Sequence, residues 1–261
     1  MVKGRVNQSG FTLIEMVITI VLIGILGVGM SRFIGQSVQG VKDTAERQQL
    51  SAIGWITSEK ISREIRDALP NSFRLNSGGS CIEFIPTVAG TDYLTVPVVS
   101  AATSFEVVPF PSYTLDSSQD RVAVYPFTDV GLYALGNPGT ISSLIASMAA
   151  GATANAQAIT LSSSHQFLTD SPTRRLYVVR EPVMYCFVGQ YLYRYGNYGF
   201  QSSMPTPTSG TVIASRLASG SFQYAPGTLS RNGVVTFAFE VQGSDGAKQL
   251  IDQEVQIRNV P

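Results

Sequence analysis

The chain has 261 residues, with 18 basic and 18 acidic side chains, and only 14% of its residues are charged. This balance excludes a nucleic-acid-binding protein that works through bulk positive charge. A hydrophobic fraction of 44% supplies enough apolar surface for a buried core, so the chain as a whole is not disordered.

An apolar run near the N-terminus is the first predicted element. Residues 11–30 contain no proline and one ionisable side chain, Glu15. A helix of this length spans roughly the 30 Å hydrocarbon core of a bilayer, so we predict a membrane helix. Lys3 and Arg5 precede it, and this basic excess places the N-terminus in the cytoplasm and the rest of the chain outside. A secretory signal peptide or a signal anchor is the alternative, but the run is long for a signal peptide and has no small-residue cleavage site.

Glu15 lies inside this apolar run, where burying a carboxylate costs at least about 2.5 kcal/mol, so it needs a partner. Residues 10–15, GFTLIE, stand after a short basic leader and before the apolar stretch. They resemble the class III signal of type IV pilins and of the pseudopilins of type II secretion. The resemblance implies that prepilin peptidase cleaves between Gly10 and Phe11 and that the new amine of Phe11 is N-methylated. It also implies that Glu15 pairs with the positive N-terminus of a neighbouring subunit.

The helical pattern continues beyond the apolar run. Apolar side chains recur mostly three and four residues apart, as one face of a helix requires, at Ile34, Val38, Val41, Ala45, Leu50, Ile53, Ile61, Ile65 and Ala68. Pro70 ends the pattern. From Phe11 to Leu69 such a helix is about 88 Å long. We expect its outer half to pack on a globular head, and its inner half to lie in lipid or in a bundle of like helices.

The remainder of the chain reads as β-structure with long connections. Predicted strands cover residues 81–85, 105–108, 121–125, 175–180, 183–188, 191–195, 211–216, 234–241 and 249–258. Gly189-Gln190 predicts a type II′ turn, and residues 243–246 predict a second hairpin between the last two strands. Alternation predicts that Val235, Phe237 and Phe239 face the core.

These elements predict an α+β fold in which a long N-terminal helix packs on a predominantly antiparallel β-sheet head. We divide the chain into a leader peptide, a transmembrane assembly helix, an amphipathic helix that continues into the head, and a periplasmic head, at residues 1–10, 11–31, 32–69 and 70–261.

A second, weaker resemblance involves the head. Residues 183–194 are similar to a hairpin of the larger minor pilins and of the J-type minor pseudopilins, and residues 61–72 and 258–261 are similar to the minor pilins of the mannose-sensitive haemagglutinin (MSHA) pilus. The resemblance implies a single-pass inner-membrane protein with a periplasmic head that joins a fibre, in its initiating or tip complex. Implied partners are prepilin peptidase, the major and other minor pilins, and an inner-membrane assembly platform with a cytoplasmic ATPase. A minor pseudopilin of type II secretion, or an anchored adhesin that binds glycans, is the alternative.

The two cysteines, Cys81 and Cys186, both fall in predicted strands of the exported part. In an oxidising compartment an even pair favours one disulfide. Two buried free thiols are the alternative.

Catalytic and metal-binding patterns are missing from the sequence, so we expect no enzyme, cofactor or metal. His165 is the only histidine and lies in a polar run that predicts a surface loop. Asp116, Ser118 and Asp120 copy the start of a calcium loop, but Arg121 replaces the required glycine, so a solvated turn is predicted.

Two segments keep alternatives open. Tyr191, Tyr193 and Tyr195 alternate along a strand and form either a platform for sugar or a partner subunit, or ordinary packing within a β-layer. Residues 141–161, rich in Ala and Ser and uncharged, predict either a helix or a mobile loop.

Overall fold

A computed structural model describes residues 10–127, 131–227 and 231–257. Within them, one helix is followed by strands of an antiparallel β head, which confirms the predicted α+β fold. The elements are α1 (Leu13–Arg66), β1 (Arg74–Leu75), β2 (Cys81–Phe84), β3 (Thr87–Asp92), β4 (Ala102–Val107), β5 (Arg121–Val124), β6 (Ile141–Ala150), β7 (Gln157–His165), β8 (Arg175–Val179), β9 (Val183–Val188), β10 (Tyr191–Tyr195), β11 (Thr211–Ser215), β12 (Leu217–Ala225), β13 (Gly233–Gln242) and β14 (Lys248–Ile257).

The chain divides into two compact units, with the boundary inside α1 between Gln49 and Leu50. In the described part of the first unit, every side chain except the half-buried Glu46 is exposed. The exposed residues include the apolar side chains of the N-terminal run. This unit therefore has no core of its own within the described residues.

In the second unit, the last part of α1 buries one face. Leu50, Gly54, Thr57, Ile61 and Ile65 are buried at spacings of three and four residues, as one helix face requires. At Gly54 the helix approaches the sheet closely, because a Cβ atom there would lie 2.7 Å from Ile251 Cδ1.

Two sheets enclose the main core with this face of the helix. The first has the strand order β1-β2-β9-β10-β11 and the second the order β12-β13-β14, and all their pairs are antiparallel. As predicted, Val235, Phe237 and Phe239 of β13 point into the core. These hydrophobic contacts hold the last part of α1 against the two sheets of the head.

A closed six-stranded sheet is inserted between β2 and β9. Its order is β3-β8-β5-β6-β7-β4, and the Tyr93↔Val107 bridge joins the end of β3 to β4. The Val108 N–H also donates to the Asp92 carbonyl at 2.8 Å, so the sheet closes on itself as a small barrel. It has a separate core, in which Phe105, Ile159 and Phe167 are buried.

The predicted strands are all present, with bounds that differ by a few residues at most, except that Arg258 lies outside the described residues. The predicted turn at Gly189-Gln190 joins β9 to β10, and only Gly189 of the two has a positive φ, as a type II′ turn requires. Short or irregular strands were missed: β1, β3, β6, β7 and β12.

The prediction of a helix or a loop at residues 141–161 is wrong. The segment forms β6 and the first part of β7, which pair with each other and with β5 and β4. Ile141, Ile145, Ile159 and Leu161 are buried in the strands. Packing of these side chains in the sheet outweighs the helix propensity of the alanines.

Two polar predictions are also corrected. His165 lies buried at the end of β7 rather than in a surface loop; its Nε2 is 3.1 Å from the Gly139 carbonyl and its ring stacks edge-on against Phe167. The turn around Ser118 is present, but Asp120 is fully buried, not solvated, and accepts a hydrogen bond from Arg180 Nε at 2.7 Å. In both cases a tertiary partner satisfies the polar group.

Candidate functional site

The start of α1 leaves the predicted cleavage position open. Gly10 is exposed, and no atom lies within 4 Å of where its Cβ would be. Phe11 is 74% exposed, and the regular helix begins at Leu13. The peptide bond between Gly10 and Phe11 therefore lies outside the helix, in a segment that an enzyme can reach.

Thr12 caps the helix and places Glu15 in its first turn. The Glu15 N–H lies 3.3 Å from Thr12 Oγ1 and 3.1 Å from the Thr12 carbonyl oxygen. Thr12 and Glu15 have the three-residue spacing of a capping box, and an acidic side chain in the first turn interacts favourably with the helix dipole. Glu15 therefore stabilises the start of the helix, in addition to its predicted role of pairing with the N-terminal amine of a neighbouring subunit.

From Met16 to Met30 the exposed surface of α1 carries no charge and is almost entirely apolar. Among the described residues, α1 is long and apolar enough to cross a membrane, and its most apolar stretch is not buried against the rest of the protein. Large exposed hydrophobic side chains continue through Phe33 and Ile34 to Val41. Such a surface needs lipid or other apolar helices around it.

Residues 5–31 match the family model of the prokaryotic N-terminal methylation motif. The match covers the residues around Gly10 and Glu15 and most of the apolar run. It supports a type IV pilin-like or pseudopilin precursor, a structural protein processed by prepilin peptidase and assembled with pilins. No curated protein and no solved structure matches the chain.

Beyond this prepilin motif, the hairpin predicted to mark a minor subunit contacts the helix. Arg194 of β10 donates from Nε to both carboxylate oxygens of Glu64 in α1, at 3.1 and 2.9 Å. Burial alone would lower the pKa of Arg194, but the hydrogen bonds and charge of Glu64, together with Tyr185, outweigh this effect and raise it. The buried Tyr185 ring lies beside the pair, and its pKa is raised by burial and by the charge of Glu64. The ion pair joins residues from the two head segments that carry the weaker resemblance.

The cysteines lie directly opposite each other on β2 and β9 and form a disulfide. It belongs to the outer face of the first sheet, away from the core formed with α1. Met184 and Tyr195 lie on the same face and pack in one cluster with Cys186. The disulfide therefore links two neighbouring strands within a small hydrophobic cluster on the outer face of the sheet.

The three tyrosines of β10 share this outer face, as alternation predicts. The ring centroids of Tyr191 and Tyr193, and of Tyr193 and Tyr195, are 5.9 Å apart. Tyr191 is 44% exposed, whereas Tyr195 is only 8% exposed and packs against the loop near Gly210. The face is thus an exposed aromatic surface at Tyr191 and is packed against the rest of the head at Tyr195.

A groove of about 270 Å³ opens beside Tyr195. The disulfide, Met184, Met204, Pro205 and Pro207 contribute to its lining, so its walls are mostly apolar. Of the three tyrosines of β10, Tyr195 is the one that lines it.

A buried polar network holds the loop after β10 over this face. Glu83 is fully buried, pairs with Arg74, and accepts a hydrogen bond from the Tyr198 hydroxyl at 2.9 Å. Arg74 also donates to the carbonyls of Gln201 and Ser202, both at 2.9 Å. Burial and the Glu83 carboxylate raise the pKa of Tyr198, which keeps its hydroxyl protonated as a donor. The loop held by this network leads directly into Met204 and Pro205, which line the groove.

Within the described residues, no cluster of His, Cys, Asp and Glu could hold a metal ion. The predicted loop at Asp116 instead forms internal bonds: Ser118 Oγ donates to Asp116 Oδ1 at 2.6 Å, and Asp120 is paired with Arg180.

Sequence reasoning missed Trp55 and Ile56. Both are exposed on α1 in the second unit, where the neighbouring Gly54 and Thr57 are buried. The sequence could have indicated them, because they are two adjacent large apolar residues that do not belong to the periodic apolar positions predicted to pack on the head.

Proposed function

We propose that the protein is a minor pilin, a structural subunit of a type IV pilus. Prepilin peptidase removes residues 1–10, and the apolar helix then carries the subunit from the inner membrane into the fibre. The observation that supports this most directly is the uncovered apolar surface of α1 after Glu15, which directly follows the matched prepilin motif.

Each site residue has a role in this scheme. Gly10 offers the peptidase a backbone without a side chain, and Phe11 supplies the amine that is methylated. Glu15 presents an exposed carboxylate in the first helical turn. In an assembled bundle it would accept the positive N-terminus of a neighbouring subunit, which removes the cost of burying an unpaired charge.

The finer proposal is a subunit of an MSHA-type pilus, similar to the minor pilin MshO, that acts in the initiating or tip complex. The resemblance of residues 61–72 to that minor pilin and the large head support it; Glu64, in that segment, pairs with Arg194 of the hairpin that resembles the larger minor pilins and the J-type minor pseudopilins. The predicted C-terminal match, residues 258–261, lies outside the described residues. The partners would be the major and other minor pilins and the inner-membrane assembly platform, whose cytoplasmic ATPase supplies the energy. The N-terminus would face the cytoplasm and the head the periplasm.

A second candidate function is glycan adhesion by the head. It is favoured by the exposed ring of Tyr191 and the groove beside Tyr195, because sugars bind on aromatic surfaces with a polar edge. A minor pseudopilin of type II secretion is the other alternative, with the same processing and a different fibre.

Mass spectrometry of the membrane-extracted chain tests the processing step. We expect an N-terminal methyl-phenylalanine at Phe11. An intact Met1, or a cut after Met30, would contradict the proposal. The unprocessed form should accumulate in a Gly10→Val variant, in which a side chain stands at the cleaved bond, whereas Gly40→Ala, an exposed glycine of α1, should be processed normally.

Incorporation into sheared fibres tests the role of Glu15. Glu15→Ala should be processed and membrane-inserted but depleted from fibres, whereas Glu59→Ala, a carboxylate in the head part of α1, should be incorporated normally. Deletion of the gene should reduce piliation. Normal pili with lost surface binding would favour adhesion, and normal pili with lost protein secretion would favour a pseudopilin.

A further inference from the structure

A polar cavity of about 420 Å³ lies in the head where the inserted barrel joins the first sheet. The connection between β8 and β9 lines one side, and the segment between β10 and β11 lines the other. The volume falls within the roughly 300–1,000 Å³ of small-molecule sites. Its polar lining includes Arg180, Glu181, Arg194, Asn197, Ser209 and Thr211. We call it the junction cavity.

Two arginines reach the junction cavity, and both are held through Nε. Arg180, directly after β8, donates from Nε to the fully buried Asp120 at 2.7 Å. Arg194 of β10 donates from Nε to both carboxylate oxygens of Glu64. The two arginine side chains remain 36% and 34% exposed. Because the bonds to the carboxylates use Nε, the Nη groups of both arginines remain as donors for a ligand.

These bonds fix the guanidinium groups before any ligand binds. The Nη donors of a guanidinium form a planar fork that matches the two oxygens of a carboxylate. Arg194 Nη1 lies beside Gly196 in the cavity wall, 3.6 Å from where a Cβ of that glycine would be. Since Gly196 has no side chain, it leaves this donor uncovered. The junction cavity therefore presents preorganised donors to a planar anionic group.

The charges around the junction cavity favour an anion with a single charge. Asp120 and Glu64 already neutralise the two arginines. Glu181 adds a carboxylate to the lining, and its charge interacts with that of Arg121. The cavity therefore has little net positive charge, and a doubly charged phosphate would be repelled by Glu181 more strongly than a carboxylate would.

The remaining polar side chains of the cavity match hydroxyl groups. Asn197, Ser209 and Thr211 are exposed, and each can both donate and accept a hydrogen bond. Glu181 accepts hydrogen bonds, and its Oε2 already accepts one from the Gly199 N–H at 3.3 Å. A ligand that uses these groups as well as the arginines carries several hydroxyls beside one carboxylate.

We propose that the junction cavity binds a sugar residue that carries one carboxylate, such as a uronic acid. The carboxylate pairs with the Nη groups of Arg180 and Arg194. The sugar hydroxyls bond to Glu181, to the amide of Asn197 and to the hydroxyl side chains of the β10–β11 segment. This binding goes beyond assembly into a fibre, because α1 contributes no lining residue among those described and acts only through the bond from Glu64 to Arg194.

Isothermal titration calorimetry of the full chain in detergent tests the ligand. Glucuronic and galacturonic acid are the probes, and glucose and galactose, which carry a hydroxymethyl group in place of the carboxylate, are their matched controls. We expect one of the acids to bind at least about tenfold more tightly than its control and than inorganic phosphate, as charge-assisted hydrogen bonds allow. Equal binding of acid and control, tighter binding of phosphate, or no binding of either acid would overturn the proposal.

Trigalacturonic acid distinguishes two sources of the sugar. Tighter binding than that of the monomer would support an acidic polysaccharide as the ligand, and equal binding would support a free uronic acid. Binding of the monomer but not of the trimer would overturn the polysaccharide source.

Arginine variants test the site. Arg180→Lys and Arg194→Lys keep a positive charge beside each carboxylate but remove the Nη fork, so each should weaken binding of the acid sugar at least about tenfold. Arg175→Lys changes an arginine of β8 that does not line the junction cavity, and it should bind normally. Circular dichroism checks that each variant is folded. Equal affinity in all three variants would overturn the proposal.

Asn197→Gly gives a second test that leaves both ion pairs intact. The φ of Asn197 is 58°, which glycine adopts readily, so the loop should keep its conformation while the amide is lost. Binding of the acid sugar should weaken several-fold. Unchanged binding in Asn197→Gly, or loss of binding in Tyr191→Ala, would place the sugar elsewhere on the head and overturn the proposal, while the proposed function as a pilin would stand.

Discussion

The two parts of α1 differ in whether their apolar side chains are exposed or buried. In residues 13–49 these side chains are exposed, whereas from Leu50 to Arg66 the residues that face the sheets are buried. Burial makes the second part a component of the head's core, and its loss would unfold the head. Exposure leaves the first part free for a membrane or for other helices. One helix thus has a part that stabilises the head and a part whose apolar side chains remain exposed.

The largest expected effect concerns the disulfide, which lies wholly in the head. The two cysteines are separated by 105 residues, so removing the crosslink in a Cys81→Ala/Cys186→Ala variant should lower the free energy of unfolding by about 4–5 kcal/mol on the chain-entropy model. Guanidinium unfolding of the full chain in detergent, followed by near-UV circular dichroism, measures it. Helicity of residues 13–49 should not change.

Reduction of the unchanged chain is the control, because it breaks the same bond without a substitution. A loss below about 1 kcal/mol in both samples would show that hydrophobic packing alone holds β2 beside β9.

The second prediction compares isoleucines from the two parts of α1. Ile61 is fully buried, so Ile61→Ala should cost roughly 2–5 kcal/mol of head stability through lost contacts and a cavity. Ile34 is 57% exposed, and Ile34→Ala should leave head stability within about 0.5 kcal/mol. The same unfolding assay separates them. A similar loss in both variants would contradict the division of roles.

The sequence predicted the elements whose signals are local. The apolar run, the turn at Gly189-Gln190 and the alternation in β13 depend on neighbouring residues, and each was found. The closed sheet between β2 and β9 was not predicted, because its closure depends on the bridge between Tyr93 and Val107, which no local pattern indicates.

The residues of the candidate site show the same difference between features with a local sequence pattern and features that depend on tertiary packing. Gly10, Phe11 and Glu15 are recognisable because they form one continuous motif. Trp55 and Ile56 were overlooked because a periodic pattern gives the spacing of apolar residues but not which of two faces the head covers. The structure shows which face the head covers, because Gly54 on that face lies close to Ile251 of the sheet.

A smaller effect is expected from the ion pair between the helix and the hairpin. Arg194 and Glu64 are both partly exposed, so their coupling should be about 1 kcal/mol. A double-mutant cycle with Glu64→Gln and Arg194→Met measures it as the difference between the double variant and the sum of the single ones. The exposed pair Glu59–Arg63 is the control and should couple by no more than about 0.5 kcal/mol. Equal coupling in both pairs would mean that Arg194 does not anchor the helix.

The smallest expected effect is a pH dependence confined to the inserted barrel of the head. Burial lowers the pKa of His165, against a weaker opposing effect of the Gly139 carbonyl. The unfolded chain therefore takes up a proton at a higher pH than the folded one, and stability should fall as the pH drops below about 6.5. His165→Gln keeps a donor for that carbonyl but cannot take up a proton in this range, so its unfolding midpoint should change less between pH 7.5 and pH 5. Parallel pH profiles for the two proteins would mean that folding does not change the pKa of His165.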